Sequence, residues 1–188
     1  MRKRAFTLIE LLVVIGILSL LVSIMFPSLS KARDYAKLIM CRTNLKGIGL
    51  GWKMYNDEYP GKIPIALTLP NVTDLEYPSI MTIMAAQVPE SNIWECPSDD
   101  MRYFEDYGTS YEYYLGFFAP MLENPFTGSE MARTAWQLLE ENPTISPIIG
   151  DAEGFHPTSA DPLNRQCMYH DGHVDYIPED FEDYGGSL

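Results

Sequence analysis

Hydrophobic positions along the chain fall into three regimes. From Phe6 to Phe26 the run FTLIELLVVIGILSLLVSIMF is apolar almost throughout, and Glu10 is its only charged residue. A helix of about 21 such residues spans a hydrocarbon core of roughly 30 Å. From Leu38 the pattern changes: Leu38, Cys41, Leu45, Ile48, Trp52 and Tyr55 recur at alternating spacings of three and four. That is one apolar stripe of an amphipathic helix, with Lys31, Lys37, Lys46 and Lys53 largely off it. Helix is expected to about Asn56, and Pro60-Gly61 ends the segment. Gly47, Gly49 and Gly51 oppose the helix on propensity, unless they permit close packing. Pro27 is expected to bend it, because it lacks an N–H and crowds the preceding turn.

Beyond residue 60 the periodicity breaks into short pieces among prolines and aromatics. Ser110–Phe118 (SYEYYLGFF) and the TISPIIGDA run ending at Ala152 suggest strands, and Thr134–Asn142 (TAWQLLEEN) a short helix limited by Pro143. QCMYHDGHVDYI places two apolar runs around Asp171-Gly172, a dipeptide suited to a type I′ hairpin.

Charge sharpens the division. Arg2, Lys3 and Arg4 precede the apolar run and stay cytoplasmic by the positive-inside rule, which sends the rest of the chain outward. From Lys31 to Lys62 seven cations face three acids; from Ile63 onward three cations (Arg102, Arg133, Arg165) face 22. A head this acidic is a poor partner for nucleic acid, which needs clustered cations. The cysteines, Cys41, Cys96 and Cys167, are too few and odd in number for a disulfide scaffold; an exported head permits one bridge among them.

Candidate chemistry in the head is sparse. His170 and His173 flank the hairpin turn near Asp171 and Asp175, but spacing alone makes a weak metal site, and a polar turn is the expected reading. Among carboxylates, calcium is the candidate ion rather than zinc, with Asp151, Asp161, Asp171 and Asp175 as candidate ligands. Cys96-Pro97 has no CxxC partner, and no nucleophile elbow or ordered triad motif is visible, so an enzyme is not expected. Asn71-Val72-Thr73 matches a glycosylation sequon, a short and frequent match.

An ionisable residue inside an apolar span is a functional hypothesis by default. Neither a cleaved signal peptide, cut after Ser28–Ser30, nor a plain signal anchor gives Glu10 a purpose. The segment Ala5-FTLIELLVVIGIL resembles the processing site of type IV prepilins and type II secretion pseudopilins, with Ala5 where the family usually has Gly. The resemblance implies that prepilin peptidase cuts between Ala5 and Phe6 and methylates the new Phe6 amine. It also implies that Glu10 pairs with that amine on a neighbouring subunit as a filament assembles. Residues 1–5 would then be a cytoplasmic leader, 6–27 a single inner-membrane span, 28–56 an amphipathic stem and 57–188 an acidic periplasmic head. The implied fold is α+β, a long N-terminal helix packed against a small antiparallel sheet.

Cys41–Pro64, Trp94–Asp100 and GDAEGFH…YHDGHVDYI resemble, in addition, a pseudopilin-like group with a C-terminal histidine, nine residues and Asp-Gly. Here Asp161 stands at that histidine's place, with His156 five residues earlier. Cys41 and Cys96 both fall in segments carrying this resemblance, and Cys41 lies on the head-facing stripe, so this pair is the expected bridge. Related pseudopilins bind calcium in a C-terminal loop, although no calcium-loop motif is recognisable here. The implied partners are prepilin peptidase, further copies of the chain, other pseudopilins and the inner membrane. The implied service is a type II secretion pseudopilus, with a pilus for adhesion, motility or DNA uptake as the neighbouring alternative. A membrane-anchored periplasmic enzyme or binding protein is the rival of another class.

Overall fold

The computed structural model describes residues 7–69, 77–123, 128–156 and 165–177. It divides into two compact units, Met1–Ala36 and Lys37–Leu188. Helix α1 (Leu8–Glu58) runs through both and continues past Pro27 without a break. Its end lies two residues beyond the boundary expected from the stripe.

In the first unit the apolar side chains from Leu8 to Leu29 are all exposed, Leu8 by 80% and Phe26 by 66%. A helix this apolar and this uncovered is suited to lipid rather than water. In the second unit the stripe is buried: Cys41, Leu45, Ile48 and Trp52 are fully covered, and Leu38 and Tyr55 nearly so. The glycines between them let neighbours close in. A Cβ on Gly51 would stand 2.2 Å from Val88 Cγ2, and one on Gly49 would stand 3.0 Å from Met168 Cγ. Their helix-propensity cost is therefore offset by packing.

After α1 come α2 (Ile80–Ile83), capped by Ser79, a 3-10 turn (Ser91–Trp94) and α3 (Tyr103–Tyr107). Strand β1 (Tyr111–Tyr113) follows, then a 3-10 turn (Tyr114–Phe118), α4 (Ala119–Leu122) and α5 (Gly128–Glu141). Strands β2 (Pro147–Asp151), β3 (Gln166–Tyr169) and β4 (Val174–Tyr176) complete a four-stranded antiparallel sheet in the order β1-β2-β3-β4. Together, the long helix and this sheet form an α+β, pilin-like arrangement. Every residue of β2 and β3 is buried, as expected of strands covered on both faces. Trp52, Trp94, Tyr111, Tyr113, Ile148, Ile149 and Met168 belong to one shared core.

Three elements differ from the sequence reading, one of them α5, which begins at Gly128, six residues before the expected start at Thr134. Ser110–Phe118 gives only a three-residue strand before a 3-10 turn, because its aromatics do not alternate and so offer no second sheet face. Gly116 sits in that turn so close to the chain at Thr68 that a Cβ would lie 2.3 Å from Thr68 N. The C-terminal hairpin is not a two-residue type I′ turn. That turn needs positive φ at both central residues, whereas Gly172 has φ 85° and Asp171 does not share it. Tyr169 N–H instead donates to His173 O (2.9 Å) and Gly172 N–H to Tyr169 O (2.8 Å). His170, Asp171 and Gly172 thus form a three-residue loop with glycine in the left-handed position.

Candidate functional site

Two places gather the residues with chemistry. The first is the start of α1. Thr7 N–H and Oγ1–H both donate to Glu10 Oε2 (2.8 and 2.7 Å), and Glu10 N–H donates back to Thr7 Oγ1 (3.3 Å). This reciprocal pair is a capping box, in which two orphan donors of the first turn are satisfied by side chains three residues apart. The carboxylate is thereby held at the helix N-terminus, where the macrodipole also favours negative charge. Ala5 and Phe6, the expected cleavage pair, lie outside the described residues. The spacing Thr-x-x-Glu was visible in the sequence, yet the apolar context directed attention to Glu10 alone.

The second place is the core of the sheet unit. Cys41 of α1 and Cys96 are joined as a disulfide, with an S–S distance of 2.07 Å. Beside it His156 Nε2 stands 3.5 Å from Cys96 Sγ and 3.5 Å from Asp151 Oδ2. Asp151, at the end of β2, is wholly buried; its Oδ2 accepts the Gln166 N–H at 2.8 Å. Burial pushes its carboxyl up to about 8, and burial likewise lowers His156 to about 4. Cys167 is free and buried, its thiol pushed up to about 12 by desolvation.

The other candidate ligands are dispersed. Asp171 Oδ1 accepts from the backbone N–H of His173 (2.9 Å) and meets its ring Nδ1. His173 also stacks on Tyr169, with centroids 4.3 Å apart. Asp175 is exposed and faces Arg42 at 3.4 Å. Asp161 lies outside the described residues. Among the described residues, no three of the candidate carboxylates converge as a metal cluster; the one group that does is Cys41, Cys96 and His156. His170 points away from any such role: its Nδ1 accepts the Trp52 Nε1–H at 3.2 Å, and its ring meets Trp52 and Trp136 edge-on. A polar turn with one buried histidine replaces the paired-histidine metal site, because each ring has found a different aromatic neighbour.

Sequence reasoning missed Arg165. Its Nε donates to Asp151 O (2.7 Å) and its Nη2 to Glu112 Oε2 (2.6 Å), while the guanidinium lies over the Tyr114 ring, 5.7 Å from its centroid. The available signal was its isolation: one of only three cations after Ile63. Three cations among 22 acids are each expected to have a specific acidic partner.

The buried titratable groups set an expected pH profile. His170 and His156 are both lowered by desolvation, so below about pH 6.5 an unfolded chain takes up their protons more readily than the folded one. Asp151 is raised, so the folded chain holds a proton that the unfolded chain has released, up to about 8. Below about pH 6.5 the proton held by folded Asp151 offsets the one His156 takes up on unfolding, so the lowered His170 decides the sign and stability falls toward acid, by at most about 1.4 kcal/mol per unit. From about 6.5 to 8 Asp151 dominates and stability falls again. Denaturant midpoints should thus peak near pH 6.5. His170→Gln, which keeps an acceptor for Trp52, should flatten the acid side.

Residues 1–26 match the family model described as the prokaryotic N-terminal methylation motif. That motif is the signature of type IV prepilins and pseudopilins, and it marks the N-terminal segment as that of a type IV pilin-like protein. It implies processing by prepilin peptidase and assembly into filaments, the work of a structural subunit. No curated protein and no solved structure gives a significant match to the chain.

Proposed function

We propose that the chain is a pseudopilin. On this reading it is made as a prepilin, cut between Ala5 and Phe6, methylated on Phe6, and assembled with copies of itself and other pseudopilins into a type II secretion pseudopilus. The supporting observation is the methylation motif over residues 1–26 together with Glu10, held by Thr7 near the start of the otherwise uncharged apolar run from Phe6 to Phe26. A carboxylate and an ammonium are each costly in hydrocarbon and much less so when paired. Subunit addition that brings Phe6 of one copy to Glu10 of the next would draw on that difference and fix the filament register. The span anchors the precursor in the inner membrane, and Arg2, Lys3 and Arg4 keep its N-terminus cytoplasmic, leaving the sheet unit on the outer side.

N-terminal mass spectrometry of the membrane-extracted chain tests this reading. The expected mature form begins at Phe6 and carries one methyl on its amine. A mature start near Lys31 would make the chain an ordinary secreted protein. Deleting the gene separates secretion from a pilus: loss of exported proteins from the medium supports the pseudopilus, whereas loss of surface filaments with secretion intact supports a pilin.

A further inference from the structure

Within the Lys37–Leu188 unit, α1 carries apolar residues on two opposite sides. The stripe from Leu38 to Tyr55 is buried in the core of that unit. Ile39, Met40, Leu50 and Met54 lie on the other side, and each is more than half exposed. At about 100° per residue, Ile39, Leu50 and Met54 fall within roughly 60° of one another, opposite the buried stripe. A helix that packs one face on its own domain normally turns a polar face to water. A second apolar face marks a surface that another molecule covers. Charge decides which molecule. Lys46 is exposed on the flank of this face and enters no ion pair among the described residues. Packing two such stems together would oppose like charges, because seven cations face three acids from Lys31 to Lys62. An acidic surface that also bears apolar side chains fits better, and the C-terminal end of α5 is one. Leu138 and Ile145 are more than half exposed there, and Ile145 is the most exposed large apolar side chain after Glu58 among the described residues. Glu141, one turn beyond Leu138, is exposed and likewise enters no ion pair among them. The neighbours of other exposed apolar residues are already engaged. Glu123, two residues from Met121, accepts from the Tyr77 O–H (2.6 Å), and Arg102, next to Met101, pairs with Glu105.

We propose that the Ile39–Met54 face of one copy docks on the Leu138–Ile145 end of α5 in a neighbouring copy, with Lys46 meeting Glu141. The contact rests on the filament reading above, which brings copies side by side. Each copy carries both surfaces, so the contact can repeat from copy to copy along a filament. The apolar side chains supply the association, and the charge pair sets its orientation and excludes the stem-on-stem alternative. The contact also brings cations of one stem to a head in which three cations face 22 acids, which lowers the repulsion between neighbouring heads.

The test co-expresses two full chains with different tags, one carrying Leu50→Cys and the other Leu138→Cys, and treats the sheared filaments with a short bismaleimide. A cross-linked dimer bearing both tags is expected. Wild type should give none, because its free Cys167 is buried. Filaments that form without this dimer would overturn the contact. So would Leu50→Cys chains that cross-link to one another equally well, which is stem on stem. Charge variants give a second measurement that does not depend on the cysteine chains. Lys46→Glu and Glu141→Lys should each lower filament yield about fivefold, and both changes in one chain should bring it back to within about twofold of wild type. A double variant no better than the weaker single one would also overturn the proposal. Wild type separates this contact from the reading beneath it. Filaments of chains cut before Phe6 keep that reading whatever the cross-linking shows, whereas wild type that forms no filaments removes both.

Discussion

Glu10→Val should give a chain that is inserted and cleaved normally yet forms no filaments. Insertion should not suffer, because the substitution removes the only charge from Phe6 to Phe26 and makes the span more apolar. Assembly should fail because the Phe6 amine of the mature neighbour would enter the helical bundle without a counter-charge. Leaving one member of a buried ion pair alone costs about 3–5 kcal/mol, a factor on the order of 10²–10³ or more in the association constant of each added subunit. The capping box gives this experiment its controls. Glutamine can still accept from Thr7 in a Thr-x-x-Gln box but carries no charge. Glu10→Gln should therefore also fail to assemble. Thr7→Val removes the cap, costs roughly 0.5–2 kcal/mol of helix stability, and keeps the charge; it should reduce filament yield without abolishing it. Filaments sheared from cells expressing each variant and quantified by immunoblot give the readout. Normal yield from Glu10→Gln would refute the pairing and leave Glu10 with a capping role alone.

What could be read from the sequence follows the range over which each signal acts. The stripe from Leu38 to Tyr55 was legible because a helix repeats every 3.6 residues, so six positions report on one face whatever that face meets. All six are buried in the structure. Strands β2 and β3 were legible as short apolar runs, and α5 as a segment limited by Pro143. The loop at His170–Gly172 was read as the wrong turn because Asp-Gly fits several hairpin loops, and the choice depends on where the strands pair. The partners of His170, Asp175 and Arg165 were not legible at all. Each is set by contacts between residues more than 50 positions apart: Trp52 with His170, Arg42 with Asp175, Glu112 with Arg165. Clusters of Asp and His near the C-terminus look alike in sequence whether they converge or, as here, find separate partners. His156 illustrates the same limit. Counting along the chain left it as a displaced motif residue, whereas the fold brings it to Cys96 and Asp151.

Arg165→Met should cost the sheet unit about 3–5 kcal/mol, because it strands a largely buried carboxylate. Arg165 and Glu112 keep only 18 and 16% of their side chains exposed, and they meet at 2.6 Å. Burial raises the Glu112 carboxyl above its ordinary value, with Arg165 as the main opposing influence and Glu153 adding to the rise. Methionine fills much of the volume and can lie on Tyr114, so the loss would report chiefly on the stranded carboxylate and on the Asp151 carbonyl left without its donor. Arg165→Lys keeps the charge but cannot direct two N–H groups to Glu112 and Asp151 O together, and should lose less. The double variant Arg165→Met, Glu112→Gln should recover most of the deficit, because no buried charge is then unpaired. The pH dependence has a definite sign: without arginine the folded-state affinity of Glu112 for a proton rises further. The Arg165→Met deficit should therefore shrink as pH falls toward the Glu112 range, where the carboxyl enters the fold neutral. Urea midpoints of the four chains at about pH 5 and about pH 7.5 decide the matter. A deficit that is equal at both pH values and persists in the double variant would assign the stabilisation to the contacts of Arg165 with Asp151 O and the Tyr114 ring rather than to the ion pair.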